Sequence, residues 1–185
     1  TYLIAAALAG KKITLLKIKP KIAETEIKLL KKMGVKLKLE KNKITIYESG
    51  KLRSVSVKTE PYPGFPTDLQ AQIMVLMLKA SGISKITENI FENRFMHIPE
   101  LRRMGAKITT KNNVAYISGP TDLSGAEVMA TDLRASVSLV LAALIAENRT
   151  IWIAFTINQR GEPCLTKFYC FITEFAVKSC LQRPN

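Results

Sequence analysis

A helix, corner and strand pattern recurs along this chain, and the repetition constrains the fold more than any single motif. The segment LLKKMGVKLKLEKNKITIYESG at 29–50 returns as ELRRMGAKITTKNNVAYISG at 100–119, with Met33-Gly34 and Met104-Gly105 71 residues apart. Each copy reads as a helix closed by a glycine, a strand, a two-residue turn (Lys41-Asn42 or Asn112-Asn113) and a second strand. A second half-repeat runs ahead of these: TDLQAQIMVLMLKASGISKITE from Thr67 and TDLRASVSLVLAALIAENRTIWI from Thr131. Both predict a long apolar helix entered at Thr-Asp, a polar corner and a short strand with isoleucines at alternate positions. The opening stretch TYLIAAALAGKKITLLKI reads as the same unit with a helix about two turns shorter.

One further strand is expected near Arg53–Lys58 in the first copy and Ala126–Met129 in the second. The units fall at about 1–59, 60–130 and 131–151, the last cut short. Packed about a pseudo-threefold axis, they bury fully apolar helices inside and place sheets outside. That α/β arrangement reverses the common one, in which amphipathic helices cover a sheet. The uncapped opening predicts a chain that starts inside a domain. Beyond Trp152 the third copy is expected to fail. Where a helix ending in Met-Gly or Leu-Gly should arrive near residue 170 stands CLTKFYCFITEF, which has no such glycine and no helical stripe. Residues 152–185 therefore read as a divergent tail, and a disrupted reading frame is the expectation that accounts for it.

With 47% hydrophobic and 23% charged residues, 185 residues suffice for an ordinary core, which excludes a disordered chain. The longest apolar stretch, Ser136 to Ala146, is about half of the ~20 residues a bilayer span needs. A cytoplasmic protein without membrane association is expected. The net charge of +13 raises nucleic acid as a partner, but twelve lysines fall between Lys11 and Lys43, on a predicted helix and its flanking strands. They read as solvated faces, with no aromatic interleaving and no finger or helix-turn-helix spacing. A site for anionic small molecules fits better. Cys164, Cys170 and Cys180 are spaced by six and ten residues, which matches no common zinc pattern, and an odd number does not suggest a disulfide framework. No metal and no cofactor is expected.

Asp68 is the residue that most invites chemistry. Pro66 holds Phe65 extended, Thr67 is placed to cap, and Asp68 falls in the first turn of an apolar helix, its carboxylate near free backbone N–H groups. That describes an acid stabilised by the helix dipole and nothing more. Recurrence of Thr-Asp at 131–132 adds a second reading, because equivalent helix starts converge at one end of a pseudo-symmetric domain. One cleft then gathers Asp68, Asp132 and Arg134, with Arg94 of ENRFMH alongside. Carboxylates among arginines at helix starts suit an anionic substrate and one base. The single histidine, His97, follows Phe95-Met96 at a helix start and reads as structural or capping.

Three stretches, EPYPGFPTDLQAQ, ITENIFENRFMHIPELRRMGA and LSGAEVMATDLRASVSLVLAALIAE, closely resemble the UDP-N-acetylglucosamine 1-carboxyvinyltransferases, the enolpyruvyl transferases that open peptidoglycan precursor synthesis. The sibling enolpyruvylshikimate-phosphate synthases share the fold but lack these motifs. The resemblance runs from Tyr2 to about Ile151. It implies two domains, each an inside-out α/β barrel of three repeats, with this chain matching the later part. It also implies transfer of the enolpyruvyl group of phosphoenolpyruvate to the 3′-hydroxyl of UDP-N-acetylglucosamine, with release of phosphate.

On this resemblance Asp68 matches the carboxylate that contacts that hydroxyl and acts as its base. Ile90 matches a sugar-nucleotide contact, with Phe91 beside it. Arg94, Asp132 and Arg134 match the charged residues on this side of the cleft, where arginines balance the carboxylate and phosphate of phosphoenolpyruvate. Arg160-Gly161 falls where the family has a further Arg-Gly, although TINQ and EP stand where Tyr-His-Ile-Asp and Tyr-Glu are expected. The family's Lys-Asn pair and the loop cysteine that protonates the methylene carbon match segments ahead of Thr1, so Cys164, Cys170 and Cys180 inherit no such role. These residues alone are expected to be inactive. Two alternatives stay open: a non-catalytic module that binds anionic ligands or nucleic acid, and a fragment that pairs with a separately encoded first portion.

Overall fold

The computed structural model describes residues 1–130, 132–157 and 163–170. The first unit comprises α1 (Tyr2–Ala9), β1 (Ile13–Leu16), α2 (Glu24–Met33), β2 (Leu37–Glu40) and β3 (Lys43–Ile46), with β4 (Leu52–Arg53) and β5 (Ser56–Lys58) trailing. The second comprises α3 (Gln70–Met77), β6 (Ala80–Thr87), α4 (Ile98–Arg103), β7 (Ile108–Lys111) and β8 (Val114–Gly119), trailed by β9 (Leu123–Ser124) and β10 (Glu127–Ala130). The third holds α5 (Leu133–Ala143), β11 (Ala146–Glu147), β12 (Thr150–Ile157) and β13 (Pro163–Cys170).

Strand pairing repeats as the sequence does. In the first unit β3 lies between β1 and β2, antiparallel to both. In the second, β8 lies between β6 and β7 in the same way. The trailing strands then cross to the next unit: β4 and β5 pair parallel with β6, β9 with β11, and β10 with β12. Each copy therefore completes its neighbour's sheet. β13 pairs antiparallel with β12, which places Cys170 opposite Thr150 and Cys164 opposite Thr156 in register. Cys180 lies outside the described residues.

The helix ends show why the Met-Gly pairs recur. Gly34 (φ 92°) and Gly105 (φ 95°) both adopt the left-handed conformation that a Cβ disfavours. In each copy the glycine N–H reaches the carbonyl three residues back (Lys31 or Arg102). The following N–H, of Val35 or Ala106, reaches the carbonyl of Leu30 or Leu101. Two otherwise orphaned carbonyls are thereby satisfied at each end.

The core sits on the apolar helices. All eight residues of α3 are buried, and α3 packs against both α1 and α5. Such a helix has no polar face to turn to water, so it must lie at the centre with sheets around it. Burying each Met or Leu there contributes ~1.5–3 kcal/mol relative to exposure. The lysines from Lys11 to Lys41 are exposed, and Lys43 is half-buried. Three of them pair with acids, namely Lys28 with Glu24, and Lys38 and Lys43 with Glu40.

Two expectations need correction. The helix after Asp68 is short, ending at Met77 as the chain turns into β6. The isoleucines of β6 do not share a face: Ile83 and Ile86 are three apart, so a period of two sends Ile86 into the core and leaves Ile83 66% exposed.

Candidate functional site

Asp68 lies in a single 3-10 turn, Thr67–Leu69, between the extended Pro66 and α3. Neither Thr67 nor Asp68 caps the helix, contrary to the expectation from sequence. The Thr67 hydroxyl donates to Oε2 of Glu88 at 2.9 Å. The Asp68 carboxylate turns instead to two arginines: Nε of Arg134 donates to Oδ1 at 2.6 Å, and Nη1 of Arg94 lies 4.0 Å from the same oxygen. A charged donor holds a carboxylate more strongly than a neutral backbone N–H, which explains the choice.

The second Thr-Asp behaves differently. Asp132 is extended (φ −150°, ψ 167°) and caps α5, its Oδ1 accepting from the backbone N–H groups of Arg134 at 2.7 Å and Ala135 at 2.9 Å. One acid thus fixes the helix start that presents Arg134, and Arg134 reaches across to the other acid. The geometry brings Asp68, Arg94, Asp132 and Arg134 together.

Stability does not account for that gathering. The Asp68 side chain is 66% exposed and that of Arg134 44%. Exposed pairs of this kind contribute ~0–1 kcal/mol. Both arginine contacts fall on Oδ1, which leaves Oδ2 without a hydrogen-bond partner among the described residues.

A cavity of about 370 Å³ opens beside the cluster, with Gln70, Arg94, His97, Asp132 and Arg134 in its lining. Gln70 Nε2, Arg94 Nη1 and His97 Nε2 are buried there without a hydrogen-bond partner among the described residues. Buried polar groups are nearly always paired, so these orphans mark a place for a polar ligand or water. His97 is 3% exposed, and burial pushes its imidazole down to about 4, against the opposing influence of the Asp132 charge and a hydrogen bond with the Arg94 backbone. Burial thus keeps it neutral at pH 7. Its side chain makes no cap to α4.

Ile90 and Phe91 lie on the loop between β6 and α4. Ile90 is half-buried, whereas Phe91 is exposed with its ring 4.2 Å from the Arg94 guanidinium carbon, a cation–π contact. A wider opening of about 920 Å³ lies against this loop, lined in part by Ile90, Phe91 and Arg94. Arg160 lies outside the described residues. Among the described residues no three or more His, Cys, Asp or Glu side chains gather as a metal site, and no helix is long and apolar enough to cross a membrane.

Two residues escaped the sequence reading. Gln70 is 2% exposed and Glu88 3% exposed, and both face the cluster's surroundings. Glu88 carried a signal: Ser84, Ile86 and Glu88 are the buried positions of one strand face, at the period of two that continues past the end of β6.

Central apolar helices packed against sheets, with an acid and two arginines gathered beside the starts of α3 and α5, define an α/β protein of the inside-out enolpyruvyl transferase type. The chain belongs to the EPSP synthase (3-phosphoshikimate 1-carboxyvinyltransferase) family, whose profile matches residues 1–166. It is 58% identical over 151 residues to the UDP-N-acetylglucosamine 1-carboxyvinyltransferase of Pelagibacter ubique, covering 82% of this chain and 36% of that protein. It is 51% identical over 167 residues to the enzyme of the same name from Rickettsia conorii, covering 90% of this chain and 40% of that one. Among solved structures, the enolpyruvyl transferase NikO from Streptomyces tendae matches with a TM-score of 0.73 at 28% identity, over 80% of this chain and 37% of that one. An EPSP synthase from Acinetobacter baumannii matches at 0.58 and 16% identity, over 83% of this chain and 38% of that one, a likeness of fold alone. The chain spans little more than a third of the length of the Pelagibacter relative.

Proposed function

We propose that this chain forms one wall of an enolpyruvyl transferase site that joins phosphoenolpyruvate to the 3′-hydroxyl of UDP-N-acetylglucosamine, for peptidoglycan precursor synthesis in the cytoplasm. The observation that carries the reading is the carboxylate of Asp68 held through Oδ1 by Arg134 and faced by Arg94, with Oδ2 unpartnered among the described residues. Oδ2 takes the hydroxyl proton as the sugar oxygen bonds to C2 of phosphoenolpyruvate. The methylene carbon gains a proton and becomes a methyl group, and loss of phosphate from C2 together with a proton from that methyl then restores the double bond. Arg94 and Arg134 offset the negative charge of the carboxylate and phosphate during addition. Asp132 keeps Arg134 in place by capping α5, and Ile90 and Phe91 border the sugar nucleotide.

In the resembling family the proton for the methylene carbon comes from a cysteine outside the part matched here. The 185 residues alone therefore bind the sugar nucleotide weakly and release no phosphate from the two substrates. The test is a calorimetric titration of the 185-residue chain with UDP-N-acetylglucosamine. Saturable binding is expected, weakened about ten- to a hundredfold by Arg94→Ala, as loss of a charged hydrogen bond predicts, and weakened also by Asp68→Asn. No saturable binding, or binding that both variants leave intact, refutes the reading. Steeply salt-dependent binding of any polyanion instead favours a basic-face module.

A further inference from the structure

We propose that Glu88 is a positioning residue that fixes the base-bearing turn against the substrate-facing loop, an inference that rests on the transferase reading of Asp68. Glu88 follows β6 and is 3% exposed. A carboxylate is held in such a place only where its hydrogen bonds are made, because burial otherwise strips it of water without return. Its bonds divide by oxygen. Oε1 accepts from the backbone N–H of Ile90 at 2.9 Å, that of Phe91 at 3.2 Å, and the Thr59 hydroxyl at 2.8 Å. Oε2 accepts from the Thr67 hydroxyl at 2.9 Å.

Each oxygen therefore grips a different part of the site. Oε1 holds the start of the loop that carries Ile90, Phe91 and Arg94, while Oε2 holds the residue adjoining Asp68. The Glu88 backbone is itself anchored to the β7–β8 turn: its N–H donates to the Asn113 carbonyl at 2.8 Å, and its carbonyl accepts from Asn113 Nδ2 at 3.0 Å. Asn89 N–H donates to the Thr59 hydroxyl at 2.9 Å, which ties the same corner to the end of β5. Glu88 thus joins base and loop through its own buried carboxylate, independent of the exposed Asp68–Arg134 pair.

The oxygen division separates the two grips experimentally. Thr67→Val removes the link to the base turn and leaves the loop bonds. Glu88→Ala removes both. Glu88→Gln keeps Oε1 for the loop and turns an N–H donor towards the Thr67 hydroxyl, which accepts it, so the conservative variant restores the geometry. The readouts are the carboxyl ¹³C signal of Asp68, amide exchange at Ile90 and Phe91 in the ligand-free 185-residue chain, and its affinity for UDP-N-acetylglucosamine.

Thr67→Val is expected to shift the Asp68 signal and weaken binding about tenfold, with the loop amides unchanged. Glu88→Ala speeds exchange at Ile90 and Phe91 by about tenfold or more, and Glu88→Gln stays close to the parent in every readout. The proposal is overturned if Thr67→Val leaves the Asp68 signal unmoved, or if Glu88→Gln loses as much as Glu88→Ala. Should the parent chain bind no sugar nucleotide, the transferase reading falls, and the ligand-free signals still decide the role of Glu88.

Discussion

Replacing Asp132 separates its two jobs, capping α5 and placing negative charge near His97. Asp132→Ala removes the oxygen that accepts two backbone N–H groups at 2.7 and 2.9 Å. The residue is exposed, so water replaces part of the loss. The expected cost is about 1 kcal/mol, within the ~0.5–2 kcal/mol range of such caps, or ~2–4 °C in melting temperature for a chain of this size. Asp132→Asn keeps an acceptor at the same place and should cost a few tenths of a kcal/mol at most. Both variants remove a charge that raises the His97 pKa, so both should lower it below its value of about 4. Urea denaturation of the three proteins, with the His97 ring followed by NMR against pH, measures both effects. Equal destabilisation by Ala and Asn refutes the cap, and an unchanged or raised His97 pKa refutes the electrostatic contact.

His97 itself makes stability depend on pH. Its folded pKa of about 4 lies below the ordinary 6.5, so between these values the unfolded chain binds more protons than the folded one. The stabilisation is whole above pH 6.5 and is lost as pH falls towards 4, by of order 3 kcal/mol in all. Subtracting the stability curve of His97→Gln from that of the parent across pH 4–7 should isolate this slope; parallel curves contradict it. At the helix ends, Gly105→Ala and Gly34→Ala should each lose ~1–2 kcal/mol, the cost of a left-handed Cβ. The nearest atoms to such a Cβ, the carbonyl oxygens of Asp122 at 3.6 Å and Lys51 at 3.8 Å, leave room, so strain and not overlap sets the cost. Denaturation midpoints check this, and a large difference between the two variants counts against the equivalence of the copies.

The architecture was legible because the repeat writes its backbone needs twice. Met33-Gly34 and Met104-Gly105 mark the same helix stop, and the two-residue turns at 41–42 and 112–113 mark the same strand reversal. The gathering of Asp68, Arg94, Asp132 and Arg134 followed from pseudo-symmetry, since equivalent helix starts meet at one end. Local chemistry was less legible. Both Thr-Asp pairs look like caps, yet of Thr67, Asp68 and Asp132 it is Asp132 that caps, because Arg134 and Arg94 claim Asp68 and Glu88 claims Thr67. Those partners come from segments far along the chain, which local pattern does not reveal. Glu88 was passed over because an acid ending a strand ordinarily faces water, although its register with Ser84 and Ile86 pointed inward.

Chemical-shift mapping of the ¹⁵N-labelled chain during titration with UDP-N-acetylglucosamine tests the central claim most directly. Saturable shifts concentrated at Asp68, Ile90, Phe91, Arg94 and Arg134 are expected. Shifts confined to the lysine-rich face of α2 and β2, with the Asp68 cluster silent, contradict it.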